Sequence, residues 1–530
     1  MNHAVDEPMR KLLAHARPMA ERRDRDAMRR VIDAIPVETE AKSARLLEVS
    51  YACSVAGHYV DARTAALLAA ARMPRSAKLL GDLAARLRTF NEAALLRDIV
   101  AGAGAASGMP IPLLLAFAAQ LSYLNRQEDA LVLLDEALRA DPAYPTTLLA
   151  RGQLLTYLGR MDEARDSFER CIRRAPEIAQ AHWFLAHVGR STLADNRVKR
   201  LQDWLARPQL SASERASFAY ALHKELDDLG DHEGAWQALQ QACDSKRGTL
   251  KYTAGDSRAL VDALIAAPVA APVAAGPSHG RAPIFIVGMH RSGTTLLEQL
   301  LDASPQVRGV GELYDFTSAM RYATDHHCKG VIDTTIVQRS AGADLAEVGR
   351  RYLDGMAWRL GDEAFFTDKL PSNFLNIGFI CSALPHARIL HMVRDPVETC
   401  FSNLRELFSD ANPYSYDQSE LADYFLQYLR LMAHWHARYP GRILDVDYGE
   451  LTRDPEAVMR KVAAFCGIDY IDAMRDPRSS TRAVATASAV QVRDRVVRRE
   501  VPKWAPYARH LQPLVAALRQ GGVEVADASA

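Results

Sequence analysis

Arg291, Glu312, Lys369 and Arg394 each stand at the end of a short apolar run in a chain of 530 residues. Such runs read as buried strands, and polar residues at strand C-termini meet along one edge of an open α/β sheet. Arginines and a lysine converging there hold anions, and a carboxylate among them can take a proton. The first run, residues 284–287, stops at Gly288. A helical pattern with Leu296, Leu297, Leu300 and Leu301 on one face starts near Thr294. Gly288 and Gly293 bound the intervening loop, which can therefore turn sharply and aim amides and a helix N-terminus at a phosphate.

That loop departs from the ATP-binding pattern G-x-x-x-x-G-K-[ST] at one informative place. Thr294 stands where the lysine would reach the β- and γ-phosphates. Arg291, Ser292, Gly293, Thr294 and Thr295 offer amides, hydroxyls and one guanidinium instead. The set suits a 5′-phosphate without a metal-bound triphosphate, and no metal ligands are expected in it.

A second anion site is expected where Arg394 and Ser402 lie eight residues apart, at a strand end and about two turns along the next helix. Lys369 is followed closely by Pro371 and can stabilise charge on a leaving oxygen, with Arg291 beside it. Glu312 can serve as base where burial lifts its pKa toward neutrality. His290 and His391 also neighbour these motifs, and His391, inside a strand, reads as packed or hydrogen-bonded. His326, His327 and Cys328 lack a third ligand at metal-like spacing and read as surface residues.

Together these segments resemble the sulfotransferases that use 3′-phosphoadenosine-5′-phosphosulfate (PAPS), over about residues 282–510. They are most similar to tyrosylprotein sulfotransferase-like enzymes and to bacterial proteins that join tetratricopeptide repeats to a sulfotransferase domain. The resemblance implies that His290 to Thr295 form the 5′-phosphosulfate loop and that Arg394 and Ser402 hold the 3′-phosphate. It implies that Glu312 is the catalytic acidic residue, and that Asp368 to Asn373 are the segment carrying the reactive lysine. It further implies that Tyr448 lies near the nucleotide and that Ser488, Gln491, Val492 and Arg493 belong to a loop closing over the 3′-phosphate. The expected reaction moves a sulfuryl group from PAPS to an acceptor hydroxyl, peptide tyrosine among the options, and leaves adenosine 3′,5′-bisphosphate. The acceptor-binding residues have no clear match. A P-loop nucleotide-dependent kinase and a non-catalytic repeat scaffold are the competing classes, and the joint presence of Glu312 and Lys369 speaks against the scaffold.

The rest of the chain must position this chemistry. Leu121, Tyr123, Leu124, Arg126, Ala130 and Pro142 recur 34 residues later as Leu155, Tyr157, Leu158, Arg160, Ala164 and Pro176. That period, with a Gly or Asn turn and a small residue in the second helix, is the tetratricopeptide pattern. Weaker copies lie at Gly57 to Ala62, Phe90 to Ala93 and Leu226 to Ala235. The expected fold is multidomain: an all-α tetratricopeptide solenoid over 10–262, a Pro/Ala-rich linker at 263–281, and a P-loop-like α/β domain with a parallel sheet over 282–515.

Composition narrows the class. Sixty-five basic and 65 acidic residues cancel, so bulk charge favours neither nucleic acid nor a membrane surface. Seven scattered cysteines without a C-x-x-C indicate neither a disulfide framework nor a zinc site, no metal is expected, and a reducing compartment suits them. No signal-peptide core or 18-residue apolar run is present, so a cytoplasmic location is expected. Any partner is expected to be a protein or peptide on the concave face of the repeats.

Overall fold

The computed structural model describes residues 6–268, 281–479 and 501–525. The chain divides into two compact units, Met1–Pro142 with Tyr314–Leu360, and Ala143–Leu313 with Gly361–Ala530. These units cut across the linear division at 262 and 282. The residues between the second and third strands, 314–360, leave the sheet and join the N-terminal helices. There the Tyr59 hydroxyl meets Ser318 Oγ at 3.0 Å, and Asp325 Oδ1 accepts from the Val60 amide at 2.8 Å.

Helix pairs build both units. Thr39–Val55 with Tyr59–Ala71 and Ile111–Tyr123 with Gln127–Ala140 belong to the first unit. Pro145–Leu158 with Met161–Arg174 and Ala212–Leu229 with His232–Arg247 belong to the second. Their turns share one backbone device: Gly57, Asn125, Gly159 and Gly230 have φ of 84°, 60°, 77° and 81°. Glycine and asparagine tolerate this left-handed geometry best. Five residues after each turn residue, Ala62, Ala130, Ala164 and Ala235 are fully buried, where a larger side chain would push the paired helices apart. Helices Gln127–Ala140 and Met161–Arg174 stop two residues before Pro142 and Pro176, because the residue ahead of a proline avoids helical geometry.

Two expectations are corrected. Helix Ala254–Ala266 runs four residues into the stretch expected to be linker, since no proline interrupts it before Pro268. The remainder of that linker, from 269 to 280, lies outside the described residues. Nor do His326 and Cys328 lie on the surface: His326 Nε2 faces Asp333 at 2.7 Å, and Cys328 is buried.

The second unit holds a five-stranded parallel sheet of β1 (Ala282–Gly288), β2 (Val307–Gly309), β3 (Phe365–Asp368), β4 (Arg388–Val393) and β5 (Ile443–Asp447). Its order is β2-β3-β1-β4-β5, with every pair parallel. β1 sits at the centre, buried from Pro283 to Gly288, as its unbroken apolar run requires. The chain first builds the β3 side of β1 and then crosses to β4. That reversal opens a crevice at the C-terminal ends of β1, β3 and β4. Ile284, Ile286, Leu297, Leu300, Leu390, Met392 and Val446 fill the core beneath it.

Helix Ala179–His187 of the same unit carries two histidines, the buried His182 on the Pro176 carbonyl and the half-buried His187 on the Trp183 carbonyl. Burial pushes both imidazoles down to about 4 from an ordinary 6.5. Unfolding therefore takes up protons between those values, so their contribution to stability is complete above about 6.5 and is lost as pH falls toward about 4. The urea midpoint is expected to fall steadily from pH 7 to pH ~4.5, and less so in His182→Gln with His187→Gln. A flat midpoint over that window contradicts the assignment.

Candidate active site

The loop after β1 follows a path that few residues can take. At Gly288 (φ 150°) a Cβ would lie 2.7 Å from the Met392 carbonyl oxygen on β4. At Gly293 (φ 109°) it would lie 2.4 Å from Cδ2 of Tyr448. Between them Arg291 takes a φ of 68° without glycine's freedom, a geometry that costs an L-residue roughly 1–2 kcal/mol. Contacts hold it there. Its Nε donates to Ser402 Oγ at 3.2 Å, its Nη1 lies 3.7 Å from the buried Glu406 carboxylate, and its carbonyl accepts from Arg394 Nη1 at 3.0 Å.

Ser292, Thr294 and Thr295 are buried at the start of helix Thr294–Asp302, whose N-cap Gly293 contributes no capping side chain. Among the described residues, Ser292 Oγ has no hydrogen-bond partner. A buried hydroxyl left so costs about 1–3 kcal/mol, and an anionic oxygen seated on the loop would satisfy it.

Lys369 follows β3 directly and is wholly buried, and its Nζ donates to Glu312 Oε1 at 2.7 Å. The burial expected of Glu312 is not found. Its side chain is 36% exposed, because the carboxylate reaches out from the β2 turn and covers the lysine from the solvent side. Glu298, on the loop helix, ties these two residues to the loop. Its Oε1 accepts from the Gly311 amide and from Thr367 Oγ1, both at 2.8 Å, while the Lys369 amide donates to the Gly311 carbonyl at 3.0 Å. Asp368 accepts from Asn373, and Asn373 from Asn376, which fixes the segment after the lysine.

Arg394 closes the other side. Its guanidinium lies 4.5 Å over the Tyr448 ring, and its Nη2 donates to Glu398 Oε2 at 2.8 Å. Ser402 was expected to face Arg394 from helix Pro396–Leu404; the bond it makes is with Arg291. Arg291 therefore stands in contact with both residues of the expected second anion site. Ser488, Gln491, Val492 and Arg493 lie outside the described residues.

Of the alternative bases, His290 is half-buried, meets the Tyr414 hydroxyl at 3.2 Å, and is pushed down to about 4 by desolvation, which makes it a weak base. His391 faces Asp445 and Tyr428 rather than the loop. Sequence reasoning missed Glu298, Glu398 and Glu406. Glu398 was legible in principle as an i,i+4 partner of Arg394. The other two meet their partners only through the tertiary fold.

The glycine-bounded loop thus lies at the switch point of a parallel sheet, with Lys369 and Arg394 just past the ends of β3 and β4. Residues 283–472 match the sulfotransferase family and residues 145–178 match a tetratricopeptide repeat, so this chain carries a sulfotransferase-family domain beside a repeat region. An uncharacterized protein of Aquifex aeolicus is 27% identical over 76% of this chain and 54% of its own length. A putative protein-tyrosine sulfotransferase of Caenorhabditis briggsae is 26% identical over 34% of this chain and 64% of its own. The chain thus spans about half to two thirds of these curated relatives. The solved sulfotransferase domain of the Synechococcus PCC 7002 olefin synthase aligns with 47% of this chain and 98% of its own, at 20% identity and a TM-score of 0.32. Among the described residues no helix is long and apolar enough to cross a membrane.

Replacing Glu298 by Ala leaves the Gly311 amide and the Thr367 hydroxyl without this acceptor inside the core. The expected loss is about 3 kcal/mol in urea unfolding, with a smaller loss for Glu298→Gln, which keeps one oxygen. A loss under about 1 kcal/mol for the alanine variant would show that Glu298 does not hold the β2 turn.

Proposed function

We propose that the chain transfers the sulfuryl group of PAPS to an acceptor hydroxyl and releases adenosine 3′,5′-bisphosphate. The observation that carries this reading is the pairing of Arg291 with Arg394 beside a buried, unsatisfied Ser292 hydroxyl, with the Lys369–Glu312 pair at the adjoining strand end. Two phosphate-bearing ends need two anion seats, and two arginines in contact provide neighbouring ones.

In this reading Arg291, Ser292, Gly293, Thr294 and Thr295 seat the 5′-phosphosulfate. Arg394 and Ser402 seat the 3′-phosphate, with Tyr448 between loop and guanidinium, and Ser488, Gln491, Val492 and Arg493 complete the enclosure. PAPS supplies the sulfuryl group. Glu312 accepts the proton of the acceptor hydroxyl, while Lys369 and Arg291 meet the negative charge that grows on the departing phosphate oxygen. The 2.7 Å bond between Lys369 and Glu312 couples these roles. When Lys369 turns toward the leaving oxygen, Glu312 Oε1 loses its donor and is open to the acceptor proton.

The acceptor class we propose is a peptide tyrosine, docked with help from the repeats of residues 10–262 ahead of the catalytic domain of 282–515. Its support is the name of the Caenorhabditis briggsae relative and the repeat match. Seven free, buried cysteines suit a reducing compartment such as the cytoplasm.

The test is transfer of labelled sulfate from PAPS to a tyrosine-containing peptide. Lys369→Ala is expected to lower kcat by at least about 100-fold, the scale of one lost transition-state donor, while affinity for adenosine 3′,5′-bisphosphate is largely kept. Unchanged turnover removes Lys369 from the mechanism, and wild-type protein inert toward PAPS with every hydroxyl acceptor overturns the reading.

A further inference from the structure

Away from the loop, three metal-ligating side chains from three elements meet on one side of the sheet. His391 is in β4, Asp445 is its register partner in β5, and His436 is in the last turn of helix Gln418–Arg438. His391 Nδ1 lies 2.7 Å and His436 Nε2 2.9 Å from the same oxygen, Asp445 Oδ1. All three donor atoms lie within 4.8 Å of one another. His436 and Asp445 lie nine positions apart, and His391 lies 54 from Asp445, so the tertiary fold brings His391 to the other two.

We propose that His391, His436 and Asp445 bind one divalent ion of the zinc class, with a fourth position left to water. Two imidazoles and a carboxylate are the donor set that zinc takes in three-residue sites with an open position, and they bind calcium or magnesium poorly. A tetrahedral centre with bonds of about 2.0–2.1 Å spaces its ligands about 3.3 Å apart. The two histidine–carboxylate distances, 2.7 and 2.9 Å, need to open by about half an ångström to reach that spacing, and the two imidazole donors already stand within 4.8 Å of each other. Two of the three can do so, since the side chains of His436 and Asp445 are 36% and 54% exposed. That exposure is also the ion's entry path.

The surroundings match what such sites require of their second layer. A ligating histidine keeps its orientation through a hydrogen bond at its other ring nitrogen. His391 Nε2 meets the buried Tyr428 hydroxyl, which also lies beside the Met289 amide, the first residue of the anion loop. The Tyr428 ring packs 5.0 Å from Phe374, in the segment after Lys369. The ion would thus clip the edge strand β5 to the long helix, and through Tyr428 it would stiffen the wall behind the loop. It takes no part in the transfer chemistry proposed above, and its presence does not depend on that proposal.

The full chain, stripped with chelator and titrated with Co²⁺, is expected to bind one equivalent with the visible absorption of four-coordinate cobalt, which Zn²⁺ then abolishes. His436→Ala and Asp445→Ala change partly exposed positions, and their metal-free circular dichroism and melting are expected to match the parent. Each is expected to weaken Co²⁺ binding by at least about 100-fold, more than loss of an outer-layer partner costs. Absence of the cobalt absorption, or equal binding by parent and both variants, overturns the proposal; in the latter case the ion sits elsewhere on the chain.

Discussion

One stretch of backbone, from Gly288 to Gly293, limits everything around it. It must leave a buried central strand, pass under the Met392 carbonyl, turn through a left-handed arginine and enter a helix against the Tyr448 ring. Any side chain at either glycine would collide with fixed atoms. The cost of holding Arg291 in this geometry is met by three partners from the chain that follows β4: Arg394 just past the strand, Ser402 in the next helix and Glu406 just beyond it. The loop is therefore shaped by the next strand as much as by its own residues. A strained conformation kept in this way is typical of a ligand seat that is built before the ligand arrives.

A second feature is the balance of charge. Each cation at the crevice already has a carboxylate: Lys369 has Glu312, Arg394 has Glu398, and Arg291 has Glu406. Unpaired charges at this depth would be costly, so the pairs let the fold bury cations ahead of binding. An incoming dianion then competes with carboxylates, and specificity rests on geometry more than on net charge. Burial raises the Glu406 carboxyl above its ordinary range, and the Arg291 guanidinium beside it works in the opposite direction.

Much of this was legible in the chain. The strand–loop–helix signal at residues 284–301, the cations at strand ends and the repeat turns follow from local rules, and Asn125, Gly159 and Gly230 take the left-handed geometry their residue types favour. What stayed hidden depends on contacts between distant segments. The pairing of Ser402 with Arg291 could not be read from its spacing to Arg394, because a helix start sets direction only once it is packed. Nor could Glu298 be seen as the tie between the β2 turn and β3, since a glutamate about one turn into a helix usually faces solvent. The departure of residues 314–360 from the sheet to the N-terminal helices has no local signal at all.

If the crevice grips an adenosine nucleotide by both phosphorylated ends, without a triphosphate-bound metal, affinity must depend on the 3′-phosphate. Calorimetric titration in the presence of EDTA reads this dependence, comparing adenosine 3′,5′-bisphosphate with adenosine 5′-monophosphate. The bisphosphate is expected to bind at least about tenfold more tightly, the value of one charge-assisted contact, and Arg394→Ala to remove the difference. Equal affinities, or tighter binding of Mg-ATP in a parallel titration with Mg²⁺ and no EDTA, would contradict this reading.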